Sequence, residues 1–94
     1  MTAGQVVISK RGRDKGLMFV VISTEVSPEG EFSYLADGKL RTLAKPKKKK
    51  AKHLQPTNTH VDLNCAGSRG LQDADIRKLL RISKEDSLNG KGVG

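Results

Sequence analysis

The chain reads as a mainly β protein: a small five-stranded antiparallel barrel followed by a short helix and a flexible tail. Three observations carry this. Short runs rich in Val, Ile, Phe and Tyr are separated by glycine-bearing turns. A closed sheet leaves no unpaired edges for aggregation. A single apolar stripe of helical spacing lies late in the chain, beyond the β-rich part.

Gln5 to Lys10 alternates as a half-buried strand, with Val6 and Ile8 on one side and Val7 and Ser9 on the other. Leu17 to Thr24 is more continuously apolar, as a central strand should be. Val26 to Glu31 carries Pro28 and Gly30 and marks a turn. Phe32–Ala36 and Lys39–Leu43 flank Asp37-Gly38, a dipeptide suited to a two-residue hairpin turn, which predicts a second hairpin. The segment 52–55 is the expected closing strand, ended by Pro56. The barrel therefore spans residues 1–56.

Residues 57–82 form an extension with one helix near Gln72–Arg81. Asp73 is its expected N-cap, and Asp75 complements the helix dipole. Ile76, Leu79 and Leu80 make one stripe, which must dock on the barrel or on a partner because so short a helix is marginal alone. Residues 83–94 are glycine-rich near their end and are expected to be loose.

Ninety-four residues make one domain with a limited core, and only Phe19, Phe32 and Tyr34 supply aromatic rings. Core packing is the expected role of the two Phe; Tyr34 is the ring to test for contact with a base. No stretch approaches the length of a membrane span and no signal-peptide pattern is evident, so a cytoplasmic setting is expected. Cys65 is the sole cysteine, which leaves no intramolecular disulfide and no Cys-rich zinc site.

The net charge is +8. Residues 1–55 hold twelve Lys and Arg against five Asp and Glu, a net +7, so the positive field sits on the barrel. Such a field favours a polyanion through attraction and counterion release.

Two basic elements stand out. The first is Lys10-Arg11-Gly12-Arg13-Asp14-Lys15-Gly16, where Gly12 and Gly16 permit positive φ and the flanking strands hold Lys10, Arg11, Arg13 and Lys15 outward. The second contains Lys45, Lys47, Lys48, Lys49, Lys50, Lys52 and His53, read as a cationic connection between two strands. An arginine fork binds phosphate bidentately, and lysine supplies a point charge. Asp37 and Gly38 are turn-forming, as are Gly12 and Gly16, and Asp14 is suited to bracing its loop.

The order Val-x-Ser-x-x-Gly-Arg-Asp-Lys-Gly, from Val7 to Gly16, with a valine-rich strand behind it, resembles the KOW motif of small RNA-binding, SH3-like barrels found in ribosomal proteins and transcription factors. The likeness covers Val6 to Ile22 and is similar to that of small bacterial KOW-type RNA-binding proteins. It departs where many KOW motifs place a further glycine, a position taken here by Phe19. The resemblance implies an SH3-like fold and RNA contacts from Arg11, Arg13, Lys15 and Arg41.

Enzymatic readings find no support. His53 and His60 lie apart from any Cys/His cluster, Cys65 has no local nucleophile signature, and Gly12–Gly16 lacks the Lys-Ser/Thr ending of a P-loop. No metal or cofactor is expected. The expected function is binding of structured RNA, with ribosomal RNA or the ribosome as first candidate. The alternative is a protein-interaction adaptor working through the barrel or through Ile76, Leu79 and Leu80. A weaker third reading is attachment of the lysine run to acidic lipids.

Overall fold

Apolar runs joined by the loop 10–17 and the turn at Pro28-Glu29 build the first three strands: β1 (Gln5–Ser9), β2 (Met18–Ser27) and β3 (Gly30–Ala36). In the computed structural model the backbone is described over residues 1–93 and the side chains over residues 1–84. β4 (Lys47–Lys50) and β5 (Leu54–His60) complete a five-stranded antiparallel sheet of order β4-β3-β2-β1-β5, and a single 3-10 turn, Ala51–His53, joins its two edge strands. A second 3-10 turn, Gly67–Arg69, precedes the helix α1 (Asp73–Val93). The protein is thus the expected mainly β, barrel-like domain with a C-terminal helix.

The sheet buries both faces. Val7, Phe19, Val21, Leu35 and Leu54 fill its concave side. Val6 and Val20 point the other way and pack with Ile76 and Leu80 of α1, with Met18, Ile22, Leu43, Val61, Leu63 and Leu71 around them. This explains why Val6 and Val7 are both buried although they alternate in direction. Fully covering side chains of this size contributes about 1.5–3 kcal/mol each, which anchors a helix that would be marginal alone. A bulge between Val21 and Ser23 bends β2 where the doubly covered part ends.

Of the stripe expected to dock on the barrel or on a partner, two members meet the barrel, Ile76 fully buried and Leu80 nearly so, while Leu79 is only half-buried. The helix begins at Asp73, so Asp73 is its first residue and not its cap. Asp73 Oδ1 instead accepts the Leu43 N–H at 2.8 Å, and Asp75 Oδ2 accepts the Gln72 N–H at 2.9 Å. The element runs beyond Arg81 to Val93; from residue 85 onward the side chains of the expected loose tail 83–94 lie outside the described residues.

Four strand expectations need correction. Lys39–Leu43 is not a strand, and Asp37-Gly38 does not turn a hairpin. Asp37 Oδ1 accepts the Lys39 and Arg41 N–H groups, each at 2.9 Å, and Gly38, at φ 79°, lies against the start of α1. The two tight connections are the β1–β2 loop and the Pro28-Glu29 turn between Ser27 and Gly30. The fourth strand is the lysine run itself. Its residues alternate in direction, which separates like charges, and lysines on an edge also discourage pairing with other chains. The closing strand begins at Leu54 and continues through Pro56, which sits opposite Val7. An edge strand tolerates proline because one row of its backbone groups needs no strand partner. The bulge beside Pro56 is patched by side chains: Thr57 Oγ1 donates to the Val6 carbonyl at 2.6 Å and Gln5 Nε2 to the Thr57 carbonyl at 3.2 Å.

Phe19 is core, 1% exposed, and its ring fills the space where a glycine would leave a void. Phe32 is not core. It lies half-buried beside Tyr34 on the outer face of β3.

Candidate nucleic-acid interface

The β1–β2 connection is a built loop. The Gly16 N–H donates to the Ser9 carbonyl at 2.8 Å and the Ser9 N–H to the Leu17 carbonyl at 3.0 Å, which closes the base of the hairpin. Within it, the Lys15 N–H donates to the Gly12 carbonyl and the Leu17 N–H to the Asp14 carbonyl. Gly12 and Gly16 adopt φ of 81° and 88°, the left-handed region expected of them. The effect is to leave Lys10, Arg11, Arg13 and Lys15 exposed on a hydrogen-bonded support.

Asp14 braces this loop from a distance as well. Its carboxylate is largely buried and lies 3.7 Å from Arg41 Nη2. Arg41 therefore ties the 37–46 connection to the loop; it supports the cationic tip and is only partly presented to solvent.

The two basic elements meet at Lys49. Cross-strand pairing with Ser33 turns Lys49 toward the concave side of the sheet, and its Nζ donates to Ser9 Oγ at 2.5 Å and to the Arg11 carbonyl at 2.6 Å. Ser9 Oγ donates to the same carbonyl at 3.0 Å, so the three groups form a closed triangle. The Lys10 N–H donates to the His53 carbonyl at 2.9 Å, which fastens the loop to the 3-10 turn between the edge strands. His53 then stands among Arg11, Lys52, Lys49 and Lys50. Desolvation first, and these cations second, hold its imidazole below the ordinary value.

Lys48 faces the opposite way. It bonds Glu25 at 2.9 Å, and Tyr34 OH donates to the same carboxylate at 3.0 Å. Its ammonium lies 4.6 Å from the Phe32 ring centroid and 6.0 Å from that of Tyr34. The hydrogen bond from Lys48 is the main cause that holds Glu25 below the usual carboxylate range, and the same bond raises Lys48. Lys48 is thus matched by an acid within the protein, whereas Lys45 and Lys52 are exposed and Lys47 and Lys50 half-buried.

The residues named from sequence therefore divide. Lys10, Arg11, Arg13, Lys15, Lys52 and His53 belong to the loop and the 3-10 turn beside it, whereas Lys50, paired opposite Phe32 at the end of β4, lies on the Lys48 face of the strand. Lys49 and Arg41 hold that assembly from beneath, and Lys48 is directed elsewhere. Two supports escaped the sequence reading. Ser9 is a fully buried hydroxyl, signalled only by a polar residue at an inward strand position, and Glu25 carries no local signal of its lysine partner.

Among the described residues no group of three or more His, Cys, Asp or Glu side chains could hold a metal ion, and no helix is long and apolar enough to cross a membrane. Cys65 is exposed and unpaired. The fold and the site define a small barrel-like β domain with a braced cationic loop. No protein-family model matches the chain, and no curated protein matches it by sequence.

Proposed function

We propose that the protein is a non-enzymatic, cytoplasmic RNA-binding module of the KOW type, which grips structured RNA with ribosomal RNA as first candidate. The observation that carries this reading is the Lys49 bridge, which joins the lysine-rich strand to the glycine loop so that their charges act together. Phosphates approaching Arg11, Arg13 and Lys15 also meet Lys52 and His53 of the adjoining 3-10 turn. Each phosphate neutralised releases condensed counterions, so affinity falls steeply with salt. The loop tip carries no aromatic ring, which favours reading of phosphate position and RNA shape over a base code.

Of the stripe Ile76, Leu79 and Leu80 that an adaptor would use, Ile76 and Leu80 pack against the sheet and Leu79 is half-buried, which favours the RNA reading. Crosslinking of the protein to RNA in its native cytoplasm, with sequencing of the attached RNA and mapping of crosslinked residues, tests the proposal. One enriched ribosomal RNA region with crosslinks at Gly12–Gly16 supports it. Diffuse, salt-labile recovery that is unchanged by Arg13→Glu with Lys15→Glu removes it.

A further inference from the structure

The outward face of α1 borders a groove that RNA binding at the loop does not use. Its floor is aliphatic: Leu17, Met18, Leu40 and Leu80. Its rim is cationic, with Lys39 on one side and Arg77, Lys78, Arg81 and Lys84 from α1 on the other. The open volume is about 680 Å³. Leu40 is 74% exposed and Leu17 41%, so two of the large apolar side chains left in solvent meet at one place.

The arrangement follows from helix geometry. Ile76, Leu80 and Ser83 are buried toward the sheet, which leaves Ala74, Arg77, Lys78, Arg81 and Lys84 along the opposite side. Arg77 Nη1 donates to the Gly38 carbonyl and so fixes the 37–40 turn as the facing wall. Among the described lining residues Asp37 is the one carboxylate, against the five cations Lys39, Arg77, Lys78, Arg81 and Lys84, so the groove keeps a positive balance.

We infer that this groove docks an acidic amphipathic peptide segment of a partner protein, its leucine-like side chains on Leu17 and Leu40 and its carboxylates along the α1 cations. Charge complementarity selects the occupant's sign. The floor selects its kind, because it offers aliphatic contact and no aromatic ring on which a nucleobase would stack. From Ala74 to Lys84 the helix wall runs about 15 Å at 1.5 Å per residue, enough for two to three turns of a peptide helix.

The test is an NMR titration of the full chain with three synthetic peptides: one with Leu at helical spacing and Glu elsewhere, the same with Lys for every Glu, and polyglutamate. The Leu/Glu peptide should bind saturably and shift the Leu17 and Leu40 methyl signals. Its affinity should fall about tenfold or more in Leu40→Ser and, separately, in Arg81→Glu, both at exposed sites. Arg13→Glu with Lys15→Glu should leave it unchanged, which separates this site from the RNA-binding reading. The proposal is overturned if the Leu/Glu peptide does not saturate, or if polyglutamate binds as tightly. It is also overturned if an RNA oligonucleotide or phosphatidylglycerol vesicles shift these methyls while the peptide does not.

Discussion

Lys49 Nζ and the Arg11 carbonyl lie 2.6 Å apart, thirty-eight residues distant in sequence. The contact makes a lysine from an edge strand the keystone of a loop on the far side of the sheet. Lys49 shares its hydrogen bonds with Ser9, which is 1% exposed, so the ammonium satisfies a buried hydroxyl and a loop carbonyl together.

Lys49→Met retains the aliphatic stem and removes those bonds. RNA affinity should fall about tenfold, because the loop loses its support as well as one charge. Lys52→Met, at an exposed position, should lose only the share of one phosphate contact and reduce the salt slope by about one. Fluorescence anisotropy with a fixed RNA over a salt series measures both; equal losses would show that Lys49 acts as a plain charge.

RNA binding should take up a proton at His53. In the free protein desolvation and the surrounding Arg11, Lys52, Lys49 and Lys50 hold the imidazole low. Bound phosphates oppose those cations and raise it, so affinity increases as pH falls from about 7 to about 5.5. Stability without RNA moves the other way, since the folded state disfavours the charged imidazole and loses stability below about pH 6.5. His53→Gln should flatten both profiles, as read by anisotropy and by thermal melts.

Gly38 and Gly16 share a positive φ but not a neighbourhood. A Cβ at Gly38 would clash with the Asp73 carbonyl oxygen, whereas one at Gly16 meets nothing within 4 Å. Gly16→Ala should cost about 1 kcal/mol from backbone conformation alone. Gly38→Ala should cost roughly 3 kcal/mol, because the helix start must shift. Urea unfolding of the two variants distinguishes them.

Ile76→Ala should destabilise the domain by about 2–5 kcal/mol, the range for truncating a buried aliphatic side chain. Ile76 packs with Val6 and Val20, so the sheet should lose stability together with the helix. Circular dichroism melts that left the β signal unchanged would show the helix to be an independent appendage.

Much of the domain was legible in local pattern. The apolar alternation of β1, the continuous apolar run of β2, the loop glycines and the Ile76/Leu79/Leu80 stripe each follow from residue type and spacing. The fourth strand was not, because four consecutive lysines carry no apolar period, and their strand state comes from pairing with β3. Asp37-Gly38 misled for a related reason: its turn chemistry is real, but the carboxylate closes the 37–41 loop on itself and the missing side chain of Gly38 makes room for the start of α1.

In the candidate interface, the charged groups and the glycines that release the backbone are readable from residue type, since both are properties of single residues. That Lys49 fastens the loop, that Arg41 braces Asp14, that Lys48 is neutralised by Glu25 and that the helix covers the sheet emerge only once the chain is folded. Those outcomes depend on strand register and sheet order, which turn every second side chain to the opposite face and bring together residues far apart in the chain.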